Sequence, residues 1–231
     1  MLTSKYTVVA RGFPAAWCVA PILVLNFFFL RRYTADVFGA YDHLKWAGGA
    51  TFSVMLMYLL AQAGRFVGKE LFERQQFQDG RAFPSTVTLL PSDSTYSPAY
   101  KQQLRAKIRR DFGDNLPSAT DELADGTAVR RRIGEIVSRI RARVQDGRLL
   151  LQHNIEYGMA RNFVGGSLLS AYVSTANMYI FSLCIPNVIA FRVSLGLALG
   201  YTSVLVCSRP ILQRYSANYA RILLQEYLAS P

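Results

Sequence analysis

The chain has 231 residues, 51% of them hydrophobic, and its 26 Lys or Arg outweigh 15 Asp or Glu to give a formal charge of +11. Cys18, Cys184 and Cys207 are odd in number, sit in apolar runs and lack metal-ligand spacing, which excludes a disulfide framework or zinc site and leaves each thiol as a small hydrophobe. Charge is confined to parts of the chain, and the long uncharged stretches exclude an ordinary set of soluble amphipathic helices.

Phe13–Leu30 runs for 18 residues without a charge. Lys5 and Arg11 precede it, as in a signal peptide, but Val24 to Phe29 and then Arg31 and Arg32 stand where a small-residue cleavage site belongs, so a retained helix is expected. Trp46–Gly64 gives 19 uncharged residues. Phe163–Phe191 gives 29, too many for one span, and Pro186-Asn187 marks a hairpin between helices over roughly 163–185 and 188–208. A membrane helix needs about 20 apolar residues, so the expected fold is mainly α: an integral membrane protein with four transmembrane helices in two hairpins and a mostly helical cytoplasmic domain between helices 2 and 3. The domains are 1–64, 65–161, 162–208 and a C-terminal tail 209–231. Twelve Lys or Arg flank the spans on the side holding both termini and the middle block, against Arg31, Arg32 and Lys45 on the other. That excess predicts termini and middle block in the cytoplasm.

The middle block carries 17 Lys or Arg against 12 Asp or Glu. Gly64–Phe77 alternates charges with Phe66, Leu71 and Phe72 and predicts an amphipathic continuation of the second span, stopping near Asp79-Gly80. Thr86–Leu90, between Pro84 and Pro91, predicts a short strand. Ser97 caps an expected helix through Tyr100, Leu104, Ile108 and Phe112, ending at Gly113, with Lys101, Arg105, Lys107, Arg109 and Arg110 on its other face. Ser118 has Asp121 three residues on, the spacing of a capping box. Thr127–Gln145 holds the longest helical signal, with Val129, Ile133, Ile136, Val137, Ile140 and Val144 as one stripe and Arg130, Arg131, Arg132, Arg139, Arg141 and Arg143 over most of the rest. Arginine clusters hold phosphates by forked hydrogen bonds. A nucleotide or oligonucleotide is therefore the expected ligand of these six residues with Arg105, Lys107 and Arg109; attraction to anionic lipid is the competing use of the same charge.

Leu149–Phe163 joins this helix to the third span and holds Asn154, Tyr157, Arg161 and Asn162, placed to pass movement of the domain to the helices. Within the spans, Gly196-x-x-x-Gly200 predicts close helix packing. Asn177 either lines a pathway or bonds a neighbouring helix, and Arg192 either snorkels or marks the mouth of a pore.

Pro84-Ser85-Thr86, Leu89-Leu90, Asp93, Lys101, Leu116-Pro117, Glu122, Arg143, Asp146 and Asn154-x-x-Tyr157-Gly158-x-x-Arg161-Asn162 together resemble a family of small, uncharacterised bacterial membrane proteins over about 65–165. Ser85 and Met159 depart from the threonine and aromatic residue of that pattern. The family's architecture is similar to membrane effectors encoded beside nucleotidyltransferases in antiphage systems, such as the Hailong channel. That resemblance implies a homo-oligomer, a tetramer by preference, in the bacterial inner membrane. It also implies a pore gated by an oligonucleotide, a role in antiviral defence, and an operon-encoded nucleotidyltransferase or other soluble partner. The alternative is a non-conducting anchor or accessory subunit that recruits a soluble partner.

Catalysis is not expected. Arg148-x-x-x-x-His153 is similar to the motif of HEPN ribonucleases, but Leu149–Leu151 beside it reads as packing. No phosphate-cradling glycine loop, nucleophile elbow or paired-histidine metal site is present in the sequence. No cofactor or metal is implied.

Overall fold

The computed structural model describes residues 8–30, 42–145 and 147–231, with backbone alone for 30 and 42–53. Lys5, Arg31, Arg32 and Asp146 of the sequence expectations lie outside the described residues. The structure is 83% helical, without strands among the described residues. Its elements are α1 Val8–Phe29, α2 Asp42–Val67, continued by helical turns Gly68–Glu73 and Arg74–Gln76, α3 Pro84–Val87, α4 Pro98–Phe112, α5 Ala119–Ala124, α6 Gly126–Arg143, α7 Arg148–Tyr179, continued by Ile180–Cys184, α8 Val188–Val206 and α9 Ser208–Ala229. Two of these, α1 and α8, are long and apolar enough to cross a membrane, with mean hydropathies of 1.8 and 1.7. Only 28% and 22% of their apolar windows are buried, whereas the core helix of a soluble protein hides most of its surface.

The chain divides into two compact units, Met1–Phe72 with Gly158–Arg209 and Glu73–Tyr157 with Pro210–Pro231. In the first, α1 is unusual because it carries two prolines seven residues apart. A proline has no N–H to return to the carbonyl four residues before it, so Pro14 leaves the Ala10 carbonyl without that donor and Pro21 leaves that of Trp17. Both are supplied by side chains from other helices. Asn162 Nδ2 on α7 donates to Ala10 O at 2.7 Å, and Tyr201 Oη on α8 donates to Trp17 O at 2.7 Å. The disturbance spreads one residue further. Ile22 N–H bonds Val19 O at 2.9 Å, and the Cys18 carbonyl accepts Ser170 Oγ on α7 at 3.1 Å. Asn177 Nδ2, also on α7, donates to Pro21 O at 2.7 Å. These side chains are buried, and buried backbone groups left unpaired are rare because each forfeits its hydration.

Crossing of α2 and α7 depends on glycine. A Cβ at Gly165 would run into the Gly64 carbonyl and the Gly68 backbone, one at Gly68 into the Arg161 carbonyl, and one at Gly64 would lie 3.3 Å from Asn162 O. Gly166 likewise makes room for the Cys18 thiol. Gly196 and Gly200, the pair expected to pack, meet nothing within 4 Å. The small-residue crossing is real but lies between Gly64-x-x-x-Gly68 and Gly165-Gly166.

The second unit buries the stripe of α6 read from the sequence, from Val129 to Val144, against Leu104 and Ile108 of α4. Three helix ends are capped as expected, and a fourth cap was not anticipated. Ser97 Oγ accepts Tyr100 N–H, Gly113 closes α4 at φ 70°, and Ser118 and Asp121 form a capping box; at the start of α6, Asp125 Oδ1 takes the N–H groups of Thr127 and Ala128. Two expectations fail. Thr86–Leu90 is not a strand: Pro84 opens the short α3 with Phe83 as its cap, and a turn follows. Leu89 and Leu90 both enter one core, which neighbouring residues of a strand cannot do because they face opposite ways. Residues 209–231, expected as a tail, form α9, whose Tyr219, Leu223, Leu224 and Tyr227 complete this core. Glu226 of the same helix accepts Leu150 N–H at 3.0 Å and so places a carboxylate on the first turn of α7, where the helix dipole favours a negative charge.

Replacing Asn162 with Leu strands the Ala10 carbonyl and is expected to cost about 1–3 kcal/mol. Adding Pro14→Ala, which restores a backbone N–H, should recover part of that loss, a coupling read from thermal unfolding of the four proteins in detergent. In the same assay Gly165→Ala is expected to destabilise by about 1–3 kcal/mol through overpacking, while Gly200→Ala leaves the midpoint unchanged.

Candidate functional site

A cationic surface is the candidate, and the structure divides its nine expected residues into two groups. Five are engaged inside the second unit. Lys107 is buried, with Nζ 3.8 Å from Asp111 Oδ2, a hydrogen bond to Ser230 O, and the Tyr227 ring 5.4 Å away. Arg139 pairs with Asp114 and lies 5.3 Å over the Phe112 ring. Arg143 donates to Pro231 O at 2.9 Å and sits 3.6 Å from Asp111. Arg141 lies 5.5 Å over Tyr219. Arg130, half-buried, reaches Arg81 O at 3.3 Å. Lys107 thus leaves the list of phosphate ligands, because its stem and charge are used to hold α4 against α9. Arg105, Arg109, Arg131 and Arg132 are exposed and make no hydrogen bond or close ion pair among the described residues, although the Arg132 charge favours the Asp121 carboxylate. They are the free part of the cationic surface.

Asp111 organises the engaged group. Its side chain is only 4% exposed, and Arg110 Nε lies 3.0 Å from its Oδ1, with Lys107 and Arg143 near the other oxygen. Burial acts to raise the carboxyl, but the hydrogen bond from Arg110, the neighbouring Tyr227 hydroxyl and the charge of Lys107 together hold it below the usual carboxylate range. The reciprocal effect falls on Tyr227, whose hydroxyl is pushed up by burial and then by the Asp111 carboxylate. Burial also raises Tyr219, partly offset by Arg141.

The residues expected to couple domain and spans lie along α7, but they do different things. Asn154 is half-buried. Tyr157 is 6% exposed in the second unit, edge-on to Phe83 at 5.6 Å and stacked with Tyr219 at 6.4 Å. In the first unit, Arg161 is half-buried and lies 3.4 Å from Asn162 Oδ1. Asn162 and Asn177 point into the interior, onto α1; of the two uses open to Asn177, it bonds a neighbouring helix. Arg192 is exposed on α8, just past the Asn187 cap. The sequence reading passed over Pro14, Pro21, Asp111 and Glu226. The prolines were detectable as two breaks in an apolar run, while the roles of both acids depend on α9.

Of the ribonuclease-like pair, Arg148 is exposed and His153 Nδ1 lies 3.1 Å from Glu156 Oε2 on its own helix. Among the described residues no cluster of three or more His, Cys, Asp or Glu is placed to hold a metal. A crevice between Cys18, Ala61, Gly64 and Gly166 is too narrow to hold a water molecule.

The chain matches no protein-family model, no curated protein and no solved structure.

Asp111 carries a stability term with a definite sign. A carboxyl lowered on folding stabilises above its unfolded value near 3.9 and loses that contribution as pH falls through the folded value. Asp111→Asn is expected to cost about 1–3 kcal/mol at pH 7 and to flatten the acid limb of the unfolding profile, measured by denaturant melts between pH 3 and 7.

Proposed function

We propose that the protein is an oligomeric, four-span membrane protein whose pore is gated by a phosphate-bearing ligand, a nucleotide or oligonucleotide, on its cationic surface. One observation carries this reading. The uninterrupted helix α7 gives residues 148–157 to the basic unit and 158–179 to the apolar one. A helix is stiff along its axis, so a rearrangement that a ligand favours at its first turns is felt further along. The ligand acts by population shift, binding one arrangement better than the other. Four exposed arginines left over after the internal pairs are made give the ligand forked donors without breaking the core.

In this reading α1 and α8 are joined as spans by α2 and by α7 with its continuation to Cys184. Basic residues at Arg11, Arg65, Lys69, Arg161 and Arg209 flank them on the cytoplasmic side. Four spans are too few to enclose a channel alone, so oligomerisation follows, with Arg192 setting the field at the outer mouth. The bacterial antiviral role and a neighbouring nucleotidyltransferase follow from the motif resemblance. A non-conducting anchor remains the rival, favoured by the openness of the arginine surface, which suits an acidic protein partner as well as a phosphate.

Purified protein in liposomes loaded with a fluorescent ion indicator separates the two. Oligonucleotide-dependent flux is expected, and Arg131→Glu with Arg132→Glu should raise the concentration needed at least about tenfold, equivalent to 1.4 kcal/mol. Absence of flux with every nucleic acid tested, together with a stoichiometric protein partner on native mass spectrometry, would establish the anchor instead.

A further inference from the structure

Ser170 Oγ and Tyr201 Oη bond adjacent carbonyls of α1, Cys18 O at 3.1 Å and Trp17 O at 2.7 Å, so Ser170 of α7 and Tyr201 of α8 meet at one level. The chain reverses between these two helices at 185–187, where Asn187 N–H bonds Phe181 O at 3.0 Å, and α8 returns antiparallel to α7. Asn177 lies seven residues after Ser170, and Ser194 lies seven residues before Tyr201. Each step is two helical turns, about 10 Å along the axis and within about 20° of the same face, so Asn177 and Ser194 stand opposite one another. Both are buried, Asn177 to 1% exposure and Ser194 to 0%. The Asn177 amide is oriented by its bond from Nδ2 to Pro21 O at 2.7 Å, which leaves Oδ1 as an acceptor without a donor among the described residues. Ser194 Oγ has no partner there either. Other hydroxyls of these helices are satisfied locally: Ser167, Ser174 and Ser203 donate to the carbonyls of Phe163, Ser170 and Leu199, four residues before each. Ser194 makes no such bond. Its neighbours on the buried face of α8 are Ala190 and Ala198, one turn to either side, so no bulky side chain of that helix fills the space beside the hydroxyl.

We infer that a single water molecule is bound between α7 and α8, donating to Asn177 Oδ1 and accepting from Ser194 Oγ. Buried waters take such positions because they satisfy polar groups that protein partners leave over, and two groups beyond direct reach of each other are joined by one at little cost. A hard cation is the poorer occupant, since it takes about six oxygen ligands and this place offers two neutral side-chain oxygens. The water ties α8 to α7 two turns beyond the Ser170 and Tyr201 level, beside Pro21 of α1. The site lies wholly inside the apolar unit and depends on neither the number of spans nor conduction.

The test joins a double-mutant cycle, read by thermal unfolding of the full chain in detergent, to a high-resolution crystal structure of the unaltered protein. Ser194→Ala is expected to lower the midpoint by about 2–4 °C, and by less than about 1 °C once Asn177→Ala has already removed the acceptor. Equal shifts in the two backgrounds overturn the inference. In the crystal structure a density peak about 2.5–3.0 Å from both Asn177 Oδ1 and Ser194 Oγ is expected. A direct bond between the two side chains, or no peak between them, overturns it even if the cycle shows coupling. Melts in sodium, potassium and choline chloride should coincide; a midpoint raised by one metal cation alone would assign the position to that ion and overturn the water.

Discussion

Two missing backbone hydrogens organise the apolar unit. Pro14 and Pro21 sit in the helix that begins the chain's described part, and each withdraws a donor from a backbone carbonyl. Asn162 and Tyr201 restore what was withdrawn, Ser170 covers the carbonyl released next door, and Asn177 adds a bond at Pro21 itself. The polar side chains of α7 therefore form a seam along α1 that fixes both the facing and the sliding position of one helix against the other. Apolar packing alone would leave that register loose, because one Leu or Val ridge fits many grooves. Beside that seam, backbone contact at Gly64, Gly68 and Gly165 sets α2 just as closely by shape.

The basic unit solves a different problem, the accommodation of charge in a small core. Lys107, Arg110, Arg139, Arg141 and Arg143 are stacked over aromatic rings or gathered around Asp111, so long stems cover apolar surface while their heads remain paired or wet. Lys107 and Arg143 reach toward the last residues of the chain, tying α4 and α6 to α9. A net positive charge can thus coexist with a well-closed bundle, and only part of the arginine surface is left for a ligand.

Much of this was legible in sequence. The α6 stripe, the Ser97 and Ser118 caps and the Gly113 stop depend on neighbours within a turn or two, and such local rules survive into the fold. Thr86–Leu90 misled because β-branched composition favours a strand only where a pleated neighbour exists; here Pro84 and the shared burial of Leu89 and Leu90 decided for a helix and a turn. Cationic faces read from periodicity gave the direction of side chains but not their partners, so Lys107 looked like its exposed neighbours although Asp111 and Tyr227 enclose it. The apolar run of α1 advertised its length and hid its chemistry, since the meaning of its prolines lies in residues some 150 positions away.

The basic unit is assembled from two separated stretches, and α9 comes after the whole of α7 and α8. During synthesis at roughly 5–20 residues per second, the core around Ile133 and Leu104 waits about 5–20 seconds for Leu223 and Tyr227 while the apolar helices emerge. Glu226 reaches the first turn of α7 only after that wait. Synthesis of α8 therefore precedes closure of the basic bundle, and the surface that awaits α9 is open to chaperones for that interval.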